Sequence, residues 1–155
     1  MTPRIALFCL GILAAPQALA ADGAASAVEI WQAAPDTVFE ARDVEIDDFK
    51  WQARPVVIFA DAPENPAFQS QMQLLEARRD ELLKRDVVVI VDTDPGERTA
   101  LRKKLRPRGF MLTLIGKDGG VKLRKPFPWN VRELTRQIDK MPIRQQEIRD
   151  ALSAE

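Results

Sequence analysis

The sequence predicts an α/β domain with a central mixed sheet and helices on both faces. Two short runs, Val56–Ala60 and Val87–Val91, are wholly apolar, as expected of strands covered on both sides. A helical pattern separates them, which is typical of a parallel βαβ unit. Two further strand-like runs flank Asp118-Gly119, a dipeptide typical of a type I′ hairpin turn.

The first 20 residues have the features of a secretory signal peptide. Arg4 supplies the positive charge, Ile5–Leu13 the apolar core, and Ala18–Ala20 a cleavage site of small residues. We therefore predict cleavage after Ala20 and a periplasmic or secreted mature chain. The apolar core is shorter than the roughly 20 residues of a membrane span, so it does not favour stable insertion. An uncleaved anchor is the alternative.

Cleavage at that point would remove Cys9, the only cysteine, from a chain that has no histidine. The absence of thiols disfavours thiol–disulfide oxidoreductase activity, and the absence of imidazoles disfavours histidine catalysis and the usual zinc sites. Asp92, Asp94 and Glu97 do not have the spacing of a calcium loop, and favour a helix cap instead. We expect no metal and no cofactor.

Residues 21–48 are predicted to form a flexible or acidic N-terminal segment, and residues 49–155 one domain. The acidic part of the segment could hold a short strand or a single helical turn. Asn65 and Pro66 are suited to begin a helix that continues to about Arg85.

Three further features mark helix boundaries later in the chain. Asp94 and Pro95 are suited to begin a helix that ends near Leu105. Asn130 is suited to cap a last helix, which Pro142 breaks or kinks.

The hairpin strands differ in their expected burial. On the first strand, side chains of both faces are mostly apolar, which predicts burial on both sides. On the second strand, Val121 and Leu123 are expected to face inward, and Lys122, Arg124 and Lys125 to form a charged edge.

The resulting order, β-α-β-α-β-β-α, resembles the thioredoxin fold. The loop that carries two cysteines in thioredoxins reads DAPENP here, from Asp61 to Pro66, so the redox centre is missing. More specific strings are Trp51 with Arg54, LTLIGKDGGVKLR from Leu112, and IDKMPIRQ from Ile138. They resemble a bacterial family known as domain of unknown function 4174, over roughly Phe49 to Arg149. The resemblance implies an exported, thioredoxin-like domain without redox cysteines, and it implies no activity.

Charge is distributed unevenly along a chain whose formal net charge is zero. The stretch from Ala21 to Glu97 has 17 acidic and 7 basic residues, whereas Arg98 to Glu155 has 6 acidic and 15 basic residues. The two halves either neutralise each other across one surface or present a basic face to an acidic partner. A neutral exported chain without an aromatic platform does not favour nucleic-acid binding.

Two segments are candidates for binding a partner or an anion. The glycine turn could form an anion-binding nest with flanking cations, and an exposed kink at Pro142 could present a guanidinium to a carboxylate or phosphate. Each segment could instead serve structure alone, as a hairpin turn and a helix break. The candidate residues are Lys117, Asp118, Gly119, Gly120, Lys122, Arg124, Arg144 and Gln145.

The sequence therefore favours an exported, non-redox thioredoxin-like domain that binds an acidic protein, a peptide or a small anionic ligand. A thioredoxin fold without thiols retains a groove between its first loop and its third strand. The basic surface of the Arg98–Arg108 helix and the Lys122–Lys125 strand could add electrostatic contacts to an acidic partner. One alternative is a carboxylate-based hydrolase or isomerase centred on Asp61, Asp92 and Asp118, which requires at least two of these carboxylates close together and one raised pKa. The other is association with anionic lipid through the basic face.

Overall fold

The computed structural model describes residues 25–154, whose sheet contains five strands. The strands are β1 (Val38–Glu40), β2 (Arg54–Phe59), β3 (Val87–Asp92), β4 (Met111–Ile115) and β5 (Val121–Lys125). The α-helices are α1 (Ala27–Ala33), α2 (Pro66–Glu76), α3 (Arg79–Leu83), α4 (Ala100–Leu105), α5 (Val131–Asp139) and α6 (Pro142–Ser153). Short 3₁₀ helices span Ile46–Phe49 and Pro95–Glu97.

The strand order is β1-β3-β2-β4-β5, so β2 is central and β5 is an edge strand. Strands β1, β3 and β2 run parallel, while β4 is antiparallel to β2 and β5 is antiparallel to β4. The α/β class and the central mixed sheet predicted from the sequence are therefore confirmed. Because β4 reverses the chain, its end at Ile115 lies beside the beginning of β2.

Each face of the sheet packs against its own helices, which confirms the prediction that the central strands are buried on both sides. One core joins Ile58 and Leu112 to α2, α3 and α5. The other core joins Val57 and Ile115 to α1, α4 and the first 3₁₀ helix. Every residue of β2 is buried. The apolar run from Val56 predicts this for most of the strand, whereas the burial of Arg54 at its start was not predicted.

The expected flexible segment contains ordered elements within the described residues. Helix α1 begins with a capping box in which Ser26 and Glu29 bond each other's backbone, and its Trp31 is buried in the second core. Strand β1 pairs with β3, and the turn at Ile46–Phe49 buries Phe49. The short strand and the helical turn thus both occur. The predicted signal peptide lies outside the described residues.

Some helices begin and end at positions that the periodicity of apolar residues does not predict. Asn65 caps α2 as predicted, but the helix expected to continue to Arg85 is divided into α2 and α3 at Arg78, where φ is −133°. No glycine or proline marks that interruption in the sequence. Pro142 begins α6 and separates it from α5, which confirms the predicted break. Within residues 25–154, no helix is long and apolar enough to cross a membrane.

The cap of α4 differs from the prediction. Asp94 accepts a hydrogen bond from the Gly96 N–H and thereby caps only the 3₁₀ turn at Pro95–Glu97. Arg98 then adopts a left-handed conformation with φ 48°, and Thr99 caps α4 by accepting from the Arg102 N–H. The helix is correspondingly short.

The prediction of a type I′ hairpin turn is wrong. Gly119 donates to the Gly116 carbonyl at 2.9 Å, and Gly119 has φ 79°, whereas Lys117 and Asp118 have no positive φ. This is the pattern of a type I turn followed by a left-handed glycine. A separate bulge in the β4–β5 ladder lies between Leu114 and Ile115, opposite Lys122. The bulge turns Val121 outward, so it is 42% exposed instead of facing the core.

Candidate binding site

Charged side chains meet at the end of the sheet where β2 and β3 begin. We call this group the Glu147 cluster, and it comprises Arg54, Asp86, Lys117, Arg144 and Glu147. At its centre, Glu147 Oε1 accepts from Arg54 Nη2 at 2.9 Å and lies 2.8 Å from Lys117 Nζ. Arg144 Nη1 donates to the other carboxylate oxygen at 3.2 Å.

The protonation of Glu147 is set by these cations. Partial burial would raise the pKa of the carboxyl group, but hydrogen bonds from Lys117, Arg54 and Arg144 outweigh it and lower the pKa from 4.5 to about 2. Arg54 is fully buried and also donates to the Arg85 carbonyl at 2.9 Å. The cluster therefore joins the C-terminal helix α6 to the start of the central strand.

The candidates at the predicted kink have partners within the domain. Arg144 also approaches Asp139, with Nε and Oδ1 3.7 Å apart, and the Gln145 side chain donates to the Asp139 carbonyl. Lys117 bridges Asp86 and Glu147 and is only 13% exposed. The structure thus brings Lys117 and Arg144 together around one carboxylate, where they serve the attachment of α6.

The glycine turn is also internally bonded. The Gly119 N–H bonds the Gly116 carbonyl, and the Gly120 N–H donates to Asp118 Oδ1 at 3.0 Å. Asp118 Oδ2 accepts from Lys122 Nζ at 2.6 Å, and this bond together with the Gly120 bond lowers the pKa of Asp118. The loop's own carboxylate therefore occupies the position that a bound anion would take in a nest.

The three carboxylates of the enzyme alternative do not share a site. Asp118 lies in the hairpin beside the start of β2. Asp61 follows β2 and Asp92 ends β3, so both lie at the opposite end of these strands. Asp92 is buried and accepts hydrogen bonds of 2.6 Å from both Thr99 and Arg102. The pKa of Asp118 is lowered, the opposite of the raised value that an acid–base pair requires.

A basic groove lies at the far end of the sheet, where β4 begins and β5 ends. Its lining consists of Arg106, Arg108, Phe110, Met111, Arg124, Lys125 and Pro126, and its volume is about 280 Å³. Phe110, Met111 and Pro126 provide an apolar floor, and cationic side chains surround it. We refer to this feature as the basic groove.

The groove's cations are held in different ways. Arg124 donates from Nη1 to the Leu105 carbonyl at 2.6 Å, which places it beside the end of α4. Lys125 Nζ lies 3.7 Å from the centroid of the Trp129 ring, a cation–π contact. Arg106 and Arg108 have no carboxylate within ion-pair distance among residues 25–154.

Of the eight candidate residues named individually from the sequence, Arg124 alone lines the basic groove. Lys122 lies on the same strand but pairs with Asp118. The sequence indicated a basic stretch at Arg98–Arg108 without singling out Arg106 and Arg108, because only the pairing of β4 with β5 brings them beside Arg124. The observed groove lies on the β5 side of β4, whereas the expected groove lay toward the first loop.

The fold, together with a loop at Asp61–Pro66 that lacks the two redox cysteines, defines a thioredoxin-like domain without a redox centre. One similar solved structure is a reduced 2-Cys peroxiredoxin of Plasmodium vivax, with a TM-score of 0.53 and 15% sequence identity; the match covers 67% of this chain and 85% of that chain. Another is thioredoxin peroxidase I of Plasmodium yoelii, with a TM-score of 0.51 and 15% sequence identity; the match covers 66% of this chain and 80% of that chain. At this identity the likeness concerns the fold alone.

The chain belongs to the family described as domain of unknown function DUF4174, whose model matches residues 45–147. A comparison with curated proteins finds no match. The strings on which the family resemblance rests converge in the structure. Arg54, Lys117 and Arg144 come one from each string, and all three contact Glu147.

Proposed function

We propose that the chain is an exported, non-redox thioredoxin-like domain that binds an acidic segment of a partner protein in the basic groove. The observation that supports this most strongly is the pair Arg106 and Arg108, which have no carboxylate partner among residues 25–154 and flank an apolar floor. Export rests on the signal-peptide pattern of residues 1–20.

Guanidinium groups are suited to an acidic partner because they bind carboxylates through two parallel hydrogen bonds. Some arginines of the domain already have such partners, as Arg85 does with both oxygens of Asp139 at 2.8 and 2.7 Å. Arg98, Arg132 and Arg149 also lack a carboxylate partner among residues 25–154, but they do not line the basic groove. Arg106 and Arg108 would bind carboxylates of a partner protein instead. The apolar floor adds a preference for a partner segment that also carries apolar side chains.

The apolar lining favours a peptide over the surface of a membrane. Phe110, Met111 and Pro126 lie between the α4–β4 connection and the end of β5, where apolar side chains of a peptide can contact them while its carboxylates contact the cations. Anionic lipid is therefore an outcome of the test below and not the function proposed.

The test uses a fluorescein-labelled probe of eight residues with the sequence EVETEVET, in which glutamate alternates with valine or threonine. A matched probe, QVQTQVQT, has no side-chain charge. Binding to the mature protein is followed by fluorescence anisotropy at several salt concentrations. We expect the acidic probe to bind more tightly than the neutral probe, and added salt to weaken its binding.

The variant Arg106→Glu/Arg108→Glu should lower the affinity for the acidic probe by roughly tenfold or more, since two attractive contacts become repulsive. The control Arg132→Glu/Arg149→Glu changes the net charge equally at exposed positions in α5 and α6. It should have a much smaller effect. Equal losses in both variants, or binding only to vesicles that contain phosphatidylglycerol, would contradict the proposal.

A further inference from the structure

We propose that the free edge of β5 receives the acidic segment as a sixth, hydrogen-bonded strand. This inference rests on the proposed function, because the same segment places its carboxylates in the basic groove. It goes further by assigning the backbone of Val121–Lys125 as a recognition element. The partner is thus an extended acidic peptide and not a helix or a small anion.

The first observation is that β5 has only one strand partner. It pairs with β4 along one side, and no other strand in residues 25–154 covers its second side. The strand contains no proline and spans five residues, whereas the opposite edge strand, β1, spans three. A row of N–H and C=O groups along such an edge can pair with an added strand.

The second observation is the direction of the charged side chains. Arg124 is directed to the α4 face, where it bonds the Leu105 carbonyl, while Leu123 packs against the opposite core. Arg106 and Arg108 lie beside Arg124 in the basic groove. Because side chains alternate along a strand, an added strand with an acidic residue at every second position would present its carboxylates to that face.

A second copy of this chain fits the edge less well. Antiparallel pairing of two β5 strands centred on Leu123 would place Lys122 opposite Arg124 of the other copy. Like charges directly opposite each other destabilise a strand pair. The charged edge therefore opposes self-association, whereas an acidic strand would complement it.

The backbone contact is tested with two N-methylated forms of EVETEVET. One form carries methyl groups on the odd-numbered amides and the other on the even-numbered amides, so both retain all four glutamates. In a strand bound at a single edge, alternate N–H groups point toward the protein and the others away. We expect one form to lose roughly tenfold or more in affinity and the other to bind nearly as well as the unmethylated probe.

Hydrogen exchange of the backbone amides of β5 tests the same contact from the side of the protein. The probe should slow exchange at alternate amides of Val121–Lys125, namely those that point away from β4. Amides of β1, at the other edge of the sheet, should exchange at unchanged rates and serve as the internal control.

The outcomes separate this inference from the proposed function. If Arg106→Glu/Arg108→Glu abolishes binding but the two methylated forms bind alike, strand addition is overturned and the acidic-partner function stands. If the charge reversal has no effect, or the unmethylated probe does not bind, both are contradicted. Sedimentation showing a stable dimer with protected β5 amides in the absence of probe would assign the edge to a second copy and overturn the proposal.

Discussion

Glu147 in α6 accepts a hydrogen bond of 2.9 Å from Arg54, whose side chain is fully buried at the start of β2. No residue of α6 is fully buried, and its apolar residues Ile143 and Ile148 are half-buried. The ion cluster adds to this partial apolar burial in holding the C-terminal helix against the sheet. Removing the carboxylate would leave the buried guanidinium with only the more distant Asp86, whose Oδ2 lies 3.8 Å from Arg54 Nη1.

We therefore predict that Glu147→Gln lowers the free energy of unfolding by about 2 to 3 kcal/mol, since a partly buried ion pair would lose one charge. Urea denaturation of the two proteins measures the difference. Glu133→Gln is the control, because Glu133 forms an exposed pair with Arg136 and its loss should cost less than about 0.5 kcal/mol. Equal effects of the two substitutions would show that the Glu147 cluster is not a principal source of stability.

The low pKa of Glu147 predicts an acid-sensitive contribution to stability. The folded-state pKa of about 2 lies below the ordinary value of 4.5, so the folded protein stabilises the ionised carboxylate. That contribution is fully present above about pH 4.5 and is lost as the pH falls toward 2, amounting to about 3 kcal/mol at most. Glu147→Gln should flatten the fall in unfolding free energy across this interval. An unchanged pH profile in the variant would assign the acid sensitivity to other carboxylates.

Much of the sheet could be predicted from the sequence because strands that are buried on both faces consist almost entirely of apolar residues. The apolar runs of β2 and β3 and the alternating faces of β4 are of this kind. The turn type was not predictable from Asp118-Gly119, since the same dipeptide fits a type I turn with a left-handed glycine. The interruption between α2 and α3 at Arg78 could not be predicted either, because no residue there forbids a continuous helix.

The candidate site was less predictable because it depends on contacts between distant segments. Lys117 and Arg144 carry charge in segments that the sequence marks as exposed, yet both bond Glu147, which no local pattern identified. Arg106 and Arg108 contribute to the basic groove only through the register of β4 with β5. A count of cations along the chain cannot separate those that have internal partners from those that lack them.

Cleavage of the signal peptide during export would also remove Cys9, so the two can be tested together. If cleavage follows Ala20, intact-mass analysis of the protein recovered from the periplasm or medium should give a chain beginning at Ala21. That chain should contain no titratable thiol and should not reduce insulin disulfides, because exchange requires a thiolate. Recovery of uncleaved protein in the membrane fraction would favour the retained anchor instead.

The hairpin geometry predicts different consequences at its adjacent glycines. Gly119 has φ 79°, a conformation that strains any residue with a Cβ, and a Cβ there would lie 3.1 Å from Cε of Lys50. Gly119→Ala should therefore lower the free energy of unfolding by about 1 to 2 kcal/mol. Gly120→Ala is the matched control, since Gly120 has no positive φ and its added Cβ would approach only side-chain atoms at 3.4 Å or more. Thermal and urea unfolding should rank Gly119→Ala clearly below Gly120→Ala in stability. The reverse ranking would contradict the type I turn, because a turn with its left-handed residue elsewhere would tolerate alanine at 119.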